Sequence, residues 1–122
     1  MAKHILIVDD ELNITQLLEE FLASRKFTVT VAHTGETALS IAKACYPNLI
    51  ILDLMLPGMQ GEAVCQELKH SYDTRLRNIP VLILTGKTSD VDHVFGMALG
   101  ASAYMEKPFE PSRLLQTIRL IL

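Results

Sequence analysis

The stretch Leu49-Ile50-Ile51-Leu52-Asp53-Leu54-Met55-Leu56-Pro57-Gly58 decides the fold. Four apolar residues run unbroken into one carboxylate, and a Pro-Gly turn follows. Such a run suits a strand buried on both faces, as in a parallel sheet. Asp53 then stands where the strand stops, at the rim of the core. In open α/β sheets ligands bind outside the carboxyl ends of the strands. The rest of the sequence decides whether other strands bring polar groups to the same rim.

Upstream, Ile5-Leu6-Ile7-Val8 is a second unbroken apolar run and ends in Asp9-Asp10-Glu11. Ile14, Leu17, Leu18, Phe21 and Leu22 follow at helical spacing. Phe27, Val29 and Val31 alternate with Thr28 and Thr30, which predicts an edge strand over 27–31 with one wetter face. His33-Thr34-Gly35 reads as a turn, with Thr34 or Gly35 capping a helix that carries Ala38, Leu39, Ile41 and Ala42. Pro47 and Asn48 end that helix.

Downstream, Gly61 precedes a third helix with Val64 and Leu68 turned inward. Val81-Leu82-Ile83-Leu84 is a strand ending in Thr85-Gly86. A fourth helix begins near Ser89-Asp90, with Val91, Val94, Phe95 and Ala98 on one face and Gly100 as its stop. Ala103 to Glu106 is a short fifth strand ending in Lys107-Pro108. Pro111 suits the first turn of a fifth helix, whose apolar face is Leu114, Leu115, Ile118 and Ile121. Five strands alternating with five helices predict an α/β fold, a single doubly wound parallel sheet over residues 1–122. The common order for five such strands is 2-1-3-4-5, with right-handed crossovers. Asp9, Asp10 and Asp53 then flank one crevice.

Composition narrows the function. The chain has 122 residues, 49% hydrophobic and 20% charged, as in an ordinary globular domain. No apolar run approaches the ~20 residues that span a bilayer, and no signal-peptide cleavage region precedes the first strand. A cytoplasmic location and no membrane contact are the expectations. A net charge of −3, with the basic residues scattered, argues against direct nucleic-acid contact by this segment. Cys45 and Cys65 lack metal or redox spacing and read as reduced thiols. His4, His33, His70 and His93 stand far apart and read as surface or packing residues.

Four of the five strands end in a polar group: Asp9 and Asp10, Asp53, Thr85 and Lys107. Taken singly, each has an ordinary explanation. Asp10 can cap a helix, Asp53 can start a turn, Thr85 can end a strand, and Lys107 can be a solvated lysine. The combination is harder to dismiss, because one crevice collects them all. Three carboxylates against one ammonium leave excess negative charge, and unit charges ~4 Å apart interact by about 4 kcal/mol at an effective ε near 20. A divalent cation removes the imbalance. Carboxylate, carbonyl and water oxygens suit Mg²⁺, with Mn²⁺ a substitute.

With these residues assembled, the sequence resembles the receiver domains of two-component response regulators. The resemblance rests on Val8-Asp9-Asp10-Glu11, Leu52-Asp53-Leu54-Met55-Leu56-Pro57-Gly58-Met59-Gln60-Gly61, Leu84-Thr85-Gly86, Gly100-Ala101 and Lys107-Pro108-Phe109, in order along nearly the whole chain. It implies the flavodoxin-like, receiver-type sheet. It also implies that Asp53 accepts a phosphoryl group from a phosphohistidine on a sensor histidine kinase or a phosphotransfer protein. Asp10, Asp53 and the Met55 backbone carbonyl would hold Mg²⁺, with Asp9 acting mainly through water. Thr85 and Lys107 would contact the phosphoryl oxygens, and the Lys107-Pro108 bond would often be cis. Met55 and Lys87 would border the path of the attacking water. Thr85 and Tyr104 would form the coupled switch pair, relaying to the face of the fourth helix, fifth strand and fifth helix. The downstream recipient would be an output domain or a separate partner.

Departures and alternatives sharpen this reading. Many winged-helix regulators carry an acidic pair before the aromatic of strand five, used in dimer salt bridges; Ser102-Ala103 stands there instead, which argues against that form of a phosphorylation-dependent homodimer. Gly86 replaces a commoner Ala. An aspartyl phosphatase would place a second Asp two residues after Asp53, where this chain has Met55. A flavin module would need a Ser, Thr and Gly-rich loop after the first strand, where Asp9-Asp10-Glu11 would repel phosphate. A phosphorylation-independent interaction domain would commonly lose one of the groups present here. The expectation is a phosphoacceptor that assists its own phosphorylation and dephosphorylation rather than an enzyme with a turned-over substrate.

Overall fold

Unbroken apolar runs become the inner strands. The computed structural model describes residues 2–87 and 89–122. Its strands are β1 (His4–Val8), β2 (Thr28–Ala32), β3 (Leu49–Leu52), β4 (Val81–Thr85) and β5 (Ala103–Glu106). All pairings are parallel, in the order β2-β1-β3-β4-β5. The β1, β3 and β4 residues from 5–8, 49–52 and 81–85 are all buried, as strands covered on both faces require. β2 lies at an edge as its alternation predicts, one residue later than 27–31, because Val8 pairs with Ala32.

The helices are α1 (Leu12–Ser24), α2 (Gly35–Cys45), α3 (Gly61–Lys69), α4 (Thr74–Arg77), α5 (Asp90–Ala98) and α6 (Pro111–Ile121). The sequence predicts five helices; the described residues form six. The addition is α4, one turn whose N-cap Asp73 accepts a hydrogen bond from the Arg75 N–H. It buries only Leu76, so it has no periodicity to detect. Elsewhere the expected signals hold: Thr34 and Ser89 cap α2 and α5, Pro111 opens α6, and Gly100 takes a φ of 101° after α5.

Alternation along the strands divides the core. Leu6, Val8, Ile50, Leu52 and Ile83 pack with Ala38, Leu39 and Ala42 of α2 and Val64, Cys65 and Leu68 of α3. Ile5, Ile7, Ile51, Leu82 and Leu84 pack on the other side with Leu18 and Leu22 of α1 and Leu114 and Ile118 of α6. Each Val, Leu or Ile among them contributes about 1.5–3 kcal/mol by leaving water. α5 differs: Val91, Val94 and Phe95 are exposed, and Gly96 is its buried residue. A Cβ at Gly96 would lie 2.8 Å from the Tyr104 ring, so the bare helix backbone admits that ring.

Candidate functional site

The crevice at the carboxyl ends of β1 and β3 is set by strand register. Val8 pairs with Leu52, so Asp9 and Asp53 emerge side by side. The Asp53 N–H donates to the Val8 carbonyl at 2.9 Å, and the Asp9 N–H donates to the Ala32 carbonyl at 3.1 Å. α3 starts hard against this strand end. A Cβ at Gly61 would fall 2.2 Å from the Asp53 carbonyl oxygen, so only glycine fits there.

Lys107 reaches into the crevice from the end of β5. Its N–H donates to the Thr85 carbonyl at 2.8 Å, and the peptide that follows, to Pro108, is cis. Its ammonium donates to Asp9 Oδ2 at 2.7 Å, Asp53 Oδ2 at 3.0 Å and Glu11 Oε1 at 3.1 Å. The remaining oxygens are held by backbone: Asp9 Oδ1 accepts from the Glu11 N–H, and Asp53 Oδ1 accepts from the Met55 N–H. Asp10 is exposed at the mouth, and oxygens of Asp9, Asp10 and Asp53 lie within 4.8 Å of one another.

Charge is crowded here. Asp9 and Asp53 are each 3% exposed. Burial pushes the Asp9 carboxyl above its usual range, and hydrogen bonds from Lys107 and the Glu11 amide offset that only in part. Burial alone would lower the Lys107 ammonium; its hydrogen bonds to Asp9 and Asp53 prevail and hold it well above the usual lysine value. One cation thus serves three carboxylates, with Asp10 in addition at the mouth. This all-oxygen donor set fits a hard divalent cation.

The expected switch pair is joined through one residue. Thr85 is fully buried, and its Oγ1 accepts from the Lys87 N–H at 3.4 Å. The half-buried Tyr104 hydroxyl donates to the Lys87 carbonyl at 2.7 Å, and its ring stacks on His93 with centroids 4.8 Å apart. Burial, with the charges of Asp92 and Glu106, pushes that hydroxyl up to about 12.

The structure therefore gathers Asp9, Asp10, Asp53 and Lys107 at one point, with Thr85 on the adjoining strand end and Met55 on the rim, its side chain exposed. Two partners escape sequence reasoning. Glu11 joins Lys107, a contact hinted at only by its place beside Asp9-Asp10. Glu62 on α3 pairs with Lys87 at 2.8 Å; an acidic residue in a first turn ordinarily signals only the helix dipole.

Comparison with known proteins agrees. Residues 5–119 match the family model described as the response regulator receiver domain. The chain is 42% identical over 120 residues to the "Probable transcriptional regulator ycf27" of Cyanophora paradoxa, covering 98% of this chain and 48% of that protein. It is 39% identical over 121 residues to the "Regulatory protein VanR" of Enterococcus faecium, covering 98% and 49%. It thus spans about half the length of these relatives. Among solved structures, Vibrio cholerae chemotaxis protein CheY4 superposes with a TM-score of 0.92 at 30% identity, covering 100% of both chains. The BeF3-activated N-terminal receiver domain of Klebsiella pneumoniae RstA gives 0.89 at 30% identity, covering 98% and 97%. A matched family model over nearly all its length, these relatives and the shared sheet order together mean that the chain belongs to the response regulator receiver domain family.

Proposed function

We propose that this receiver domain accepts a phosphoryl group on Asp53 from a phosphohistidine of a sensor histidine kinase or phosphotransfer protein. The observation that carries the reading is the convergence of buried Asp53 and Asp9 on one Lys107 ammonium, with a third carboxylate, Asp10, in reach. An Asp53 carboxylate oxygen attacks phosphorus in line. The bond between phosphorus and the imidazole nitrogen breaks, and the imidazole keeps the electron pair. A carboxylate nucleophile has no proton to lose, so the step needs no general base.

Lys107 is placed to follow the transferred charge, moving its hydrogen bonds from the carboxylates to the phosphoryl oxygens. The Thr85 hydroxyl supplies a further donor on the next strand. Asp10, Asp53 and the Met55 carbonyl are the residues proposed to hold Mg²⁺, with Asp9 acting through water. When bound, the ion neutralises the charge that builds on the equatorial oxygens. Water attacking phosphorus later returns Asp53 to its free state, so the chain is reset without being an enzyme in the turnover sense.

The new dianion draws Thr85 inward, and Lys87 passes the movement to Tyr104 and the face of α5, β5 and α6. That face would signal to an output domain or partner protein, or form a phosphorylation-dependent homodimer; the domain itself touches neither nucleic acid nor membrane. Among the described residues no helix is long and apolar enough to cross a membrane. The exchange is proposed for the cytoplasm, where unpaired thiols such as Cys45 and Cys65 persist.

A small phosphodonor with Mg²⁺ tests this reading. Wild type takes up label and Asp53→Asn does not; equal labelling would remove Asp53 from its role. Lys107→Ala should still bind metal yet lose the conformational change that phosphorylation drives.

A further inference from the structure

Outside the carboxylate crevice, one ion pair has a member, Glu62, to which no role has been given. Lys87 Nζ donates to Glu62 Oε2 at 2.8 Å, joining the loop after β4 to the first turn of α3. The pair is half-satisfied. Glu62 Oε1 is buried and finds no hydrogen-bond partner among the described residues. A carboxylate oxygen left in that state is costly, and native structures seldom keep one without a reason.

The position of Lys87 supplies the reason. Its N–H is bonded to Thr85 and its carbonyl to Tyr104, so its backbone links the site to the signalling face. Its side chain is about a third exposed, and so is free to exchange partners. Gly86, just before it, carries no side chain, and a Cβ there would find its nearest neighbour, the Met55 sulfur, at 4.0 Å. Both strong cations near Asp53 are thus engaged by carboxylates in this state: Lys107 within the crevice, and Lys87 at its margin by Glu62.

We propose that Glu62 is a positioning residue that keeps the Lys87 ammonium on α3, and that this ion pair sets the lifetime of the phosphoryl group on Asp53. The inference rests on the phosphoacceptor reading above. A dianion on Asp53 competes with a single Glu62 oxygen for Lys87. Once released, the ammonium covers the phosphoryl oxygens and obstructs the in-line water. Glu62 opposes that release and so shortens the signal.

The test is a double-mutant cycle on phosphoryl decay, using the full chain labelled by a small phosphodonor in Mg²⁺. Glu62→Gln preserves shape and removes the charge; decay should slow about fivefold, the scale on which one partly exposed ion pair acts. In a Lys87→Met background the same substitution should leave decay unchanged. Unchanged or faster decay in Glu62→Gln, or equal slowing in both backgrounds, would overturn the proposal. A second readout needs no phosphorylation: the Lys87 ammonium proton signal in NMR should be held against solvent exchange in wild type and lost in Glu62→Gln. A signal equal in both proteins would overturn the clamp. A wild type that takes no phosphoryl group would instead remove the functional reading, while the ammonium signal still decides whether the clamp exists.

Discussion

The two ends of the sheet are built from similar polar residues and balance them in opposite ways. At the amino end several polar groups meet a complement one to one. The His4 N–H donates to Asn48 Oδ1, and His4 Nε2 shares a hydrogen with the Thr30 hydroxyl. The Tyr46 hydroxyl bonds Asp73, the Arg75 guanidinium lies 3.9 Å over the Tyr46 ring, and Lys69 donates to the Arg77 and Ile79 carbonyls. At the carboxyl end three carboxylates share Lys107, and Asp10 has no hydrogen bond or ion pair among the described residues. A settled arrangement stabilises the fold and has no use for a ligand. A crowded one is less stable alone and gains when a cation or a new anion rearranges it.

The largest expected effect falls where fold and site meet. Gly61→Ala would drive a Cβ to 2.2 Å from the Asp53 carbonyl oxygen. Shifting α3 off the strand end should cost about 3 kcal/mol or more, read by urea unfolding, and should impair metal binding as well. A stability equal to wild type would mean that α3 does not brace the crevice.

Metal should separate the two ends next. At about 100 times its dissociation constant, Mg²⁺ should stabilise wild type by ~2.7 kcal/mol, and Asp10→Asn should keep less than about half of that at the same concentration. Equal gains in the two proteins would remove Asp10 as a ligand. At the amino end, Tyr46→Phe should lower the melting temperature by about 3 °C whether or not Mg²⁺ is present. The hydrogen bond from Tyr46 holds the Asp73 carboxyl below its usual 3.8. A depressed folded value means the stabilisation is present above 3.8 and lost as pH falls through the folded value. The Tyr46→Phe deficit should therefore shrink in acid; a deficit constant with pH would assign it to packing instead.

The smallest effect is spectroscopic. Tyr104 should ionise near pH 12. Its folded value lies above the ordinary 10.0, so its contribution to stability is intact below pH 10 and is lost as pH rises through 12. A tyrosinate absorbance titration in which Tyr104 ionises near the ordinary 10.0 would contradict the buried placement of its hydroxyl.

Much of this was legible because the informative residues are local. Three unbroken apolar runs mark the inner strands, and the polar residue after each run marks the rim. What was hidden depends on tertiary context. α4 is a single turn with one buried side chain, too short for periodicity. The Val91, Val94 and Phe95 stripe shows that α5 has an apolar face, but spacing alone does not say that this face looks outward. The Lys87–Glu62 pair joins residues 25 apart on different elements, so it exists only once α3 is seated by Gly61 beside β3. Lys107 was expected as a phosphoryl contact; that it bridges Asp9, Asp53 and Glu11 beforehand follows from the strand order, not from its neighbours in sequence.

We propose Asp53 as a phosphoryl acceptor that works with a divalent cation because side chains distant in sequence meet around it. Peptide mapping of the intact chain after treatment with a small phosphodonor, with Mg²⁺ or with chelator, tests it most directly. A single phosphoryl group on Asp53 should appear with Mg²⁺ and be absent with chelator; a label on another residue, or uptake indifferent to the metal, would refute this assignment.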